Sequence, residues 1–281
     1  MVVDVGAVLI SAIMAGAVAI AATLVIERWG GALGSLVAIP TTIVPAAIGI
    51  WHGSSSVEAH ANAMSMVPIG MLLNILFLGA WRVLPPRLEH RWSGGSLVTL
   101  VSILSVGVWL VAAGISTTVV STTLTSIAPL WIGTFATLLG FSIGLRALKD
   151  PPDAPAGRNR VHPFSILMRG VAAATAIGLS VLVAGMGLPF ISGVISVFPA
   201  IFLTTMVSLW VAQGSEVPVG ATGPMMLGAT SVSVYSLISI GSFPGYGPWI
   251  GSVIAWFGSV ILYSFPIGFW TNRQISLGAN D

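Results

Sequence analysis

The sequence predicts an all-α polytopic membrane protein of about nine transmembrane helices. Three observations carry this. Mean hydropathy is +1.00, and charged residues make up only 6% of the 281 positions, against roughly a quarter in soluble domains. The apolar stretches run about twenty residues each, the length a helix needs to cross ~30 Å of hydrocarbon. Once these stretches are threaded in order, all ten Lys and Arg residues fall on one face.

The first span, 5–26, lacks a basic leader (Asp4 is its only early charge) and is too long for a signal peptide. The second, 31–51, carries Pro40 and Pro45 near its middle. The third, 60–81, ends before a Pro- and Arg-rich linker at 85–95, and the fourth covers 95–115. A hydroxyl-rich run at 116–126 approaches the fifth, 121–146, which ends at the long polar stretch 149–163. The remaining spans are 165–186, 190–211, 219–240 and 248–270, the last two joined by a Gly- and Pro-rich turn at 241–248. This threading puts Arg28, Arg82, Arg87, Arg91, Arg146, Lys149, Arg158, Arg160, Arg169 and Arg273 on the face opposite the N-terminus. Basic residues resist translocation, so the N-terminus is expected outside and the C-terminus inside, as in a plasma (inner) membrane protein. Trp29, Trp51, Trp81, Trp92, Trp249 and Trp270 lie near span ends, where an indole prefers to sit. Arg169, one turn into its span, is expected to snorkel toward the headgroups.

Composition excludes several functions. With no cysteine, thiol catalysis and iron–sulfur ligation are ruled out. Basic residues confined to membrane-flanking loops imply the bilayer as partner, with no nucleic acid. No cofactor motif is present.

The halves resemble each other. Gly34, Pro40 and Trp51 recur 159 residues on as Gly193, Pro199 and Trp210; Glu58, Ala63 and Gly70 recur 158 on as Glu216, Ala221 and Gly228. The chain thus reads as one transmembrane domain, 1–281, with repeat one at 5–115, a linker helix at 121–146 and repeat two at 165–270. Span one crosses in the opposite sense to span six, so the repeats are inverted, an architecture common in secondary transporters.

Phe190-Ile-Ser-Gly-Val-Ile-Ser-Val-Phe-Pro-Ala-Ile-Phe202, then Gln213-Gly-Ser-Glu216 and Ala221-Thr222, resembles the second span and following turn of small GlpM-type four-span membrane proteins. The resemblance covers residues 190–228 and, more faintly, 34–70, where Ile39-Pro40 replaces Phe-Pro. It implies a four-span unit, here fused to a second in the opposite orientation.

Chemistry is expected where the paired helices break. Proline removes a backbone donor and frees the carbonyl four residues back, and such carbonyls are tolerated in a membrane when they line a cavity. Pro40, Thr41, Thr42 and Pro45 in span two, facing Pro199, Thr204 and Thr205 in span seven, are therefore the candidate binding residues. The competing reading is that Thr hydroxyls simply heal the gaps. Glu58 and Glu216 precede spans three and eight at opposite faces and are candidates for gating or ion coupling. The alternative for Glu58 is a capping box with Ser55. His52, Glu58 and His60 are a weak metal candidate, because their spacing matches no known ligand pattern. The expected function is a transporter or channel for a small solute or ion. The alternatives are an assembly subunit of a membrane complex and, behind it, a membrane-embedded enzyme, for which no catalytic motif is visible. A homodimer is plausible for such a protein.

Overall fold

A computed structural model describes residues 4–29, 38–122, 126–149 and 162–270. Every regular element among them is helical. Nearly continuous apolar sequence favours this, because a helix satisfies its backbone groups within one segment where no water can. The start of span two with Gly34, most of the 149–163 stretch with Arg158 and Arg160, and Arg273 lie outside the described residues.

Helix α1 (Val5–Trp29) begins where the Asp4 carboxylate accepts a hydrogen bond from the Ala7 amide at 3.1 Å, a negative charge at the positive helix end. A helical turn at 38–41 and α2 (Val44–Gly53) form one broken element, interrupted at Thr42 and Ile43. The Ser56 hydroxyl caps α3 (Val57–Leu88) by accepting from the Ala59 amide. Then follow α4 (Gly94–Thr122), α5 (Pro129–Lys149) and α6 (Pro163–Gly185). A second broken element is made of α7 (Pro189–Ile195) and α8 (Ala200–Gln213), and α9 (Glu216–Ser259) continues through a π turn to residue 270.

Seven helical segments are long and apolar enough to cross a membrane. The last, Glu216–Trp270, is a hairpin. Its chain reverses at Gly247, whose φ of 74° and ψ of 168° lie in a region open essentially to glycine alone. Ser242 Oγ donates to the Gly251 carbonyl, Ser259 Oγ to that of Ser231, and Tyr263 OH to that of Leu227. Residue numbers rise on one arm as they fall on the other, so the arms are antiparallel. The turn expected over 241–248 contracts to a single residue.

Other bounds shift as well. Helix α3 runs to Leu88 with Pro68, Pro85 and Pro86 inside it, so the linker expected at 85–95 is much shorter. Helix α4 reaches Thr122 and α5 starts only at Pro129. The hydroxyls of Thr117, Thr118, Ser121 and Thr122 therefore belong to the end of α4, where each donates to a carbonyl of its own helix at 2.7–3.1 Å.

Helix α3 is the hub. Its span is 78% buried, against 22% for α1 and 28% for α4. Trp81, expected at the interface, is fully buried in this core, because the helix continues past it for two turns. Helix α5 wedges between α3 and the first arm of α9 through small residues: a side chain at Gly133 would strike the Ser65 carbonyl, one at Gly140 would strike Ile75, and one at Gly144 would strike Leu227. Arg82 Nη1 donates to the Ala147 carbonyl at 2.8 Å, placing a cation at the negative end of α5.

Helices α1 and α6 cross antiparallel at Gly16 and Gly170, each facing the other's carbonyl. Arg169 does not snorkel. It is 6% exposed, and its Nη1 donates to Thr23 Oγ1 at 3.3 Å between the two helices. On the rim, Ile13, Val111, Phe135, Leu262 and Phe269 are strongly exposed. Such an apolar belt would drive aggregation in water but is well solvated by hydrocarbon, so the architecture fits an integral, multi-pass membrane protein.

Candidate functional site: a cavity between two broken helices

The two breaks meet at a cavity of about 80 Å³, large enough for a few waters or one small solute. Ile39, Thr42 and Ile43 line it from the first break, and Ser196, Val197 and Phe198 from the second. Asn74 of α3, Ala173 and Ile177 of α6 and Val232 of α9 complete the wall. Each of these lies near the middle of its helix or hairpin arm, which places the cavity at mid-depth.

Proline chemistry explains the breaks. Pro45, in the first turn of α2, cannot donate to the carbonyl of Thr41, and Pro199 cannot donate to that of Ile195. The Val197 carbonyl falls between α7 and α8, and Asn74 Nδ2 donates to it at 2.9 Å. Because the acceptor is a carbonyl, the bond fixes which end of the amide faces it. Asn74 Oδ1 is then left buried without a partner among the described residues. No side chain caps α8; the Ala200 amide donates to the Phe198 carbonyl at 2.7 Å and the Leu203 amide to the Pro199 carbonyl at 2.8 Å. The amides of Ile201 and Phe202, whose residues line the cavity, are the open donors every helix start carries.

Of Pro40, Thr41, Thr42, Pro45, Pro199, Thr204 and Thr205, only Thr42 lines the cavity. Its hydroxyl donates to the Ile39 carbonyl at 2.7 Å and keeps its lone pairs for a ligand. Thr41 Oγ1 instead accepts from Trp256 Nε1 at 2.9 Å. Thr204 and Thr205 donate to the carbonyls of Ala200 and Ile201. Pro40, Pro45 and Pro199 are buried and shape the backbone. Asn74 and Ser196 were not expected as site residues; the available signal was a lone amide in the middle of an otherwise apolar span.

Glu58 and Glu216 are both exposed, in the first turns of α3 and α9. They lie at opposite ends of the bundle. His60, beside Glu58, stacks on Phe243 near the Gly247 reversal, with ring centroids 4.9 Å apart. Gly223, beyond Glu216, abuts Ala147 at the far end of α5. Ser56 rather than Ser55 caps α3, which moves Glu58 one position toward the helix start and out of the expected capping box. His52 is exposed while His60 is buried against Trp51 and Phe243. Among the described residues no three His, Asp or Glu side chains gather to hold a metal.

Close contacts join the two halves of the chain. Gly70 packs on Val197 and Gly228 on Ile39; Trp51 meets Phe243 at 5.7 Å and Trp210 meets Trp81 at 5.9 Å. No protein-family model, curated protein or solved structure matches this chain.

Proposed function

We propose that the chain is a membrane transporter or channel for a small solute, built from two inverted four-helix repeats whose broken helices meet at the cavity. The make-up of the cavity wall carries this reading. Ile39 and Phe198, Thr42 and Ile201, and Ile43 and Phe202 are each 159 residues apart, and Asn74 and Val232 are 158 apart. These are the spacings that relate Pro40 to Pro199 and Glu58 to Glu216. Four equivalent pairs facing one cavity are what a two-fold axis through it would produce.

The cross-contacts support the same axis. Gly70 and Gly228 are equivalent, and each packs on the broken element of the other half. Trp51 and Trp210 are equivalent too, and each meets an aromatic ring far along the other half's central helix. By these contacts α2 runs in the same direction as the first arm of α9, and α8 in the same direction as α3. Nine crossings, with the N-terminus outside and the basic face inside, accommodate every such direction. The likeness to GlpM-type proteins enters only as the source of a four-span unit. Glu58 and Glu216, one at each end, are assigned to the two entrances.

Flux into proteoliposomes tests the reading, with urea, acetamide, glycerol, potassium and chloride as the panel. Vesicles carrying the protein should be more permeable than empty ones to at least one of these. Equal permeability throughout refutes transport. Unchanged flux in both Glu58→Gln and Glu216→Gln refutes the gating role alone.

A further inference from the structure

We infer that the cavity binds a small, uncharged solute that donates and accepts hydrogen bonds through adjacent groups, as a carboxamide or urea does. The open groups on the wall are of two kinds. One kind is the first-turn amides of Ile201 and Phe202, two residues of the wall, which are open donors at the positive end of α8. The other is the Oδ1 acceptor of Asn74, a residue of the wall that is 1% exposed; this oxygen is buried without a partner among the described residues. The hydroxyls of Thr42 and Ser196 spend their protons on the carbonyls of Ile39 and Gly193, so toward the cavity they too only accept.

An unsatisfied buried carbonyl carries a desolvation penalty, which a ligand that donates to Asn74 recovers on binding. Charge decides between ligand classes. No Asp, Glu, Lys, Arg or His lines the cavity, and the remaining wall is Ile, Phe, Met, Ala and Val. A cation would exchange its hydration shell for three neutral acceptors in an apolar chamber, which is unfavourable. An anion would suit the α8 amides but would set its charge against the oxygens of Asn74, Thr42 and Ser196. A carboxamide fits both kinds: its carbonyl takes the α8 amides and its NH₂ donates to Asn74 Oδ1.

The role of this site rests on the transport reading; its chemistry rests on the geometry. Acetamide, acetate and acetamidinium share one shape and differ in charge. Their binding to purified full-length protein is to be measured by saturation-transfer NMR, separately from flux. Saturable acetamide binding is expected, with acetate and acetamidinium at least tenfold weaker. Asn74→Val should weaken acetamide about tenfold, the loss of one neutral hydrogen bond. Ser196→Ala, which leaves the Asn74–Val197 bond in place, should weaken it less and serves if the first variant misfolds. Tighter binding of either ion, or an acetamide affinity unchanged in both variants, overturns the inference. Acetamide binding without flux of any solute leaves the site standing and refutes transport. Flux of another solute without acetamide binding does the reverse.

Discussion

Gly193→Ala tests the seam between α3 and α7 on which the cavity depends. The added methyl would run into the Ala63 backbone carbonyl and come within 2.8 Å of Met66 Cβ. Neither neighbour has room to yield, because Ala63 and Met66 are fully buried in the hub helix. Overpacking of this kind costs about 1–3 kcal/mol, and contact with a backbone oxygen puts the cost near the top of that range. Alanine regains up to ~1 kcal/mol of helix propensity, leaving a net loss of about 2 kcal/mol, which is roughly thirtyfold in the folding equilibrium. Gly107→Ala is the control: it lies inside α4 with nothing within 4 Å of the new methyl, so only the propensity gain remains. Both variants should be unfolded by SDS titration in mixed micelles, followed by Trp fluorescence. A Gly193→Ala protein as stable as Gly107→Ala would mean that α7 does not lie against α3 at this residue.

Three further outcomes follow from the same packing. The chain has no cysteine, so Tyr246→Cys and Glu89→Cys each give one exposed thiol; an impermeant maleimide should label the first in intact cells and the second only after permeabilisation, and the reverse pattern would invert the orientation. Trp256→Phe and Thr41→Val should each cost about 0.6–1 kcal/mol by breaking the same 2.9 Å bond, and the double variant should cost no more than either if that bond is the whole effect. Val232→Asn puts a second carboxamide on the cavity wall, a built-in donor of the kind assigned to the solute; acetamide binding should weaken as the new side chain takes its place, and a tighter-binding variant would contradict the assigned polarity.

The helices were legible because the length of an apolar run reports the thickness of the solvent around it, and that signal survives without a partner. Their ends were not. Pro85 and Pro86 read as a helix stop, yet α3 passes through them and the Glu89 amide returns to the Pro85 carbonyl at 3.1 Å. A proline deletes one bond and leaves the neighbouring ones free to propagate. The 241–248 stretch misled in the same way: of its Gly and Pro residues only Gly247 departs from helical geometry. Trp81 and Arg169 look interfacial from their sequence neighbours alone. Their burial is decided by Trp210 and Thr23, 129 and 146 residues away, and nothing local encodes such partners.

The place of the cavity is legible in the paired breaks, but of its polar lining only Thr42 is, for a more specific reason. The expected binding residues are the prolines and threonines of the two breaks, and apart from Thr42 they prove to be scaffold: the prolines open the backbone, and Thr41, Thr204 and Thr205 are engaged away from the cavity. The polar groups on the cavity wall are those that do not recur. By the same spacings Asn74 corresponds to Val232, Thr42 to Ile201, and Ser196 to Val37, which lies outside the described residues. A solute without two-fold symmetry can satisfy only one set of such groups. A duplicated set would leave buried amides and hydroxyls without partners, at about 1–3 kcal/mol each. On the proposed reading, the two-fold repeat accounts for the cavity, and the departures from it set what the cavity prefers.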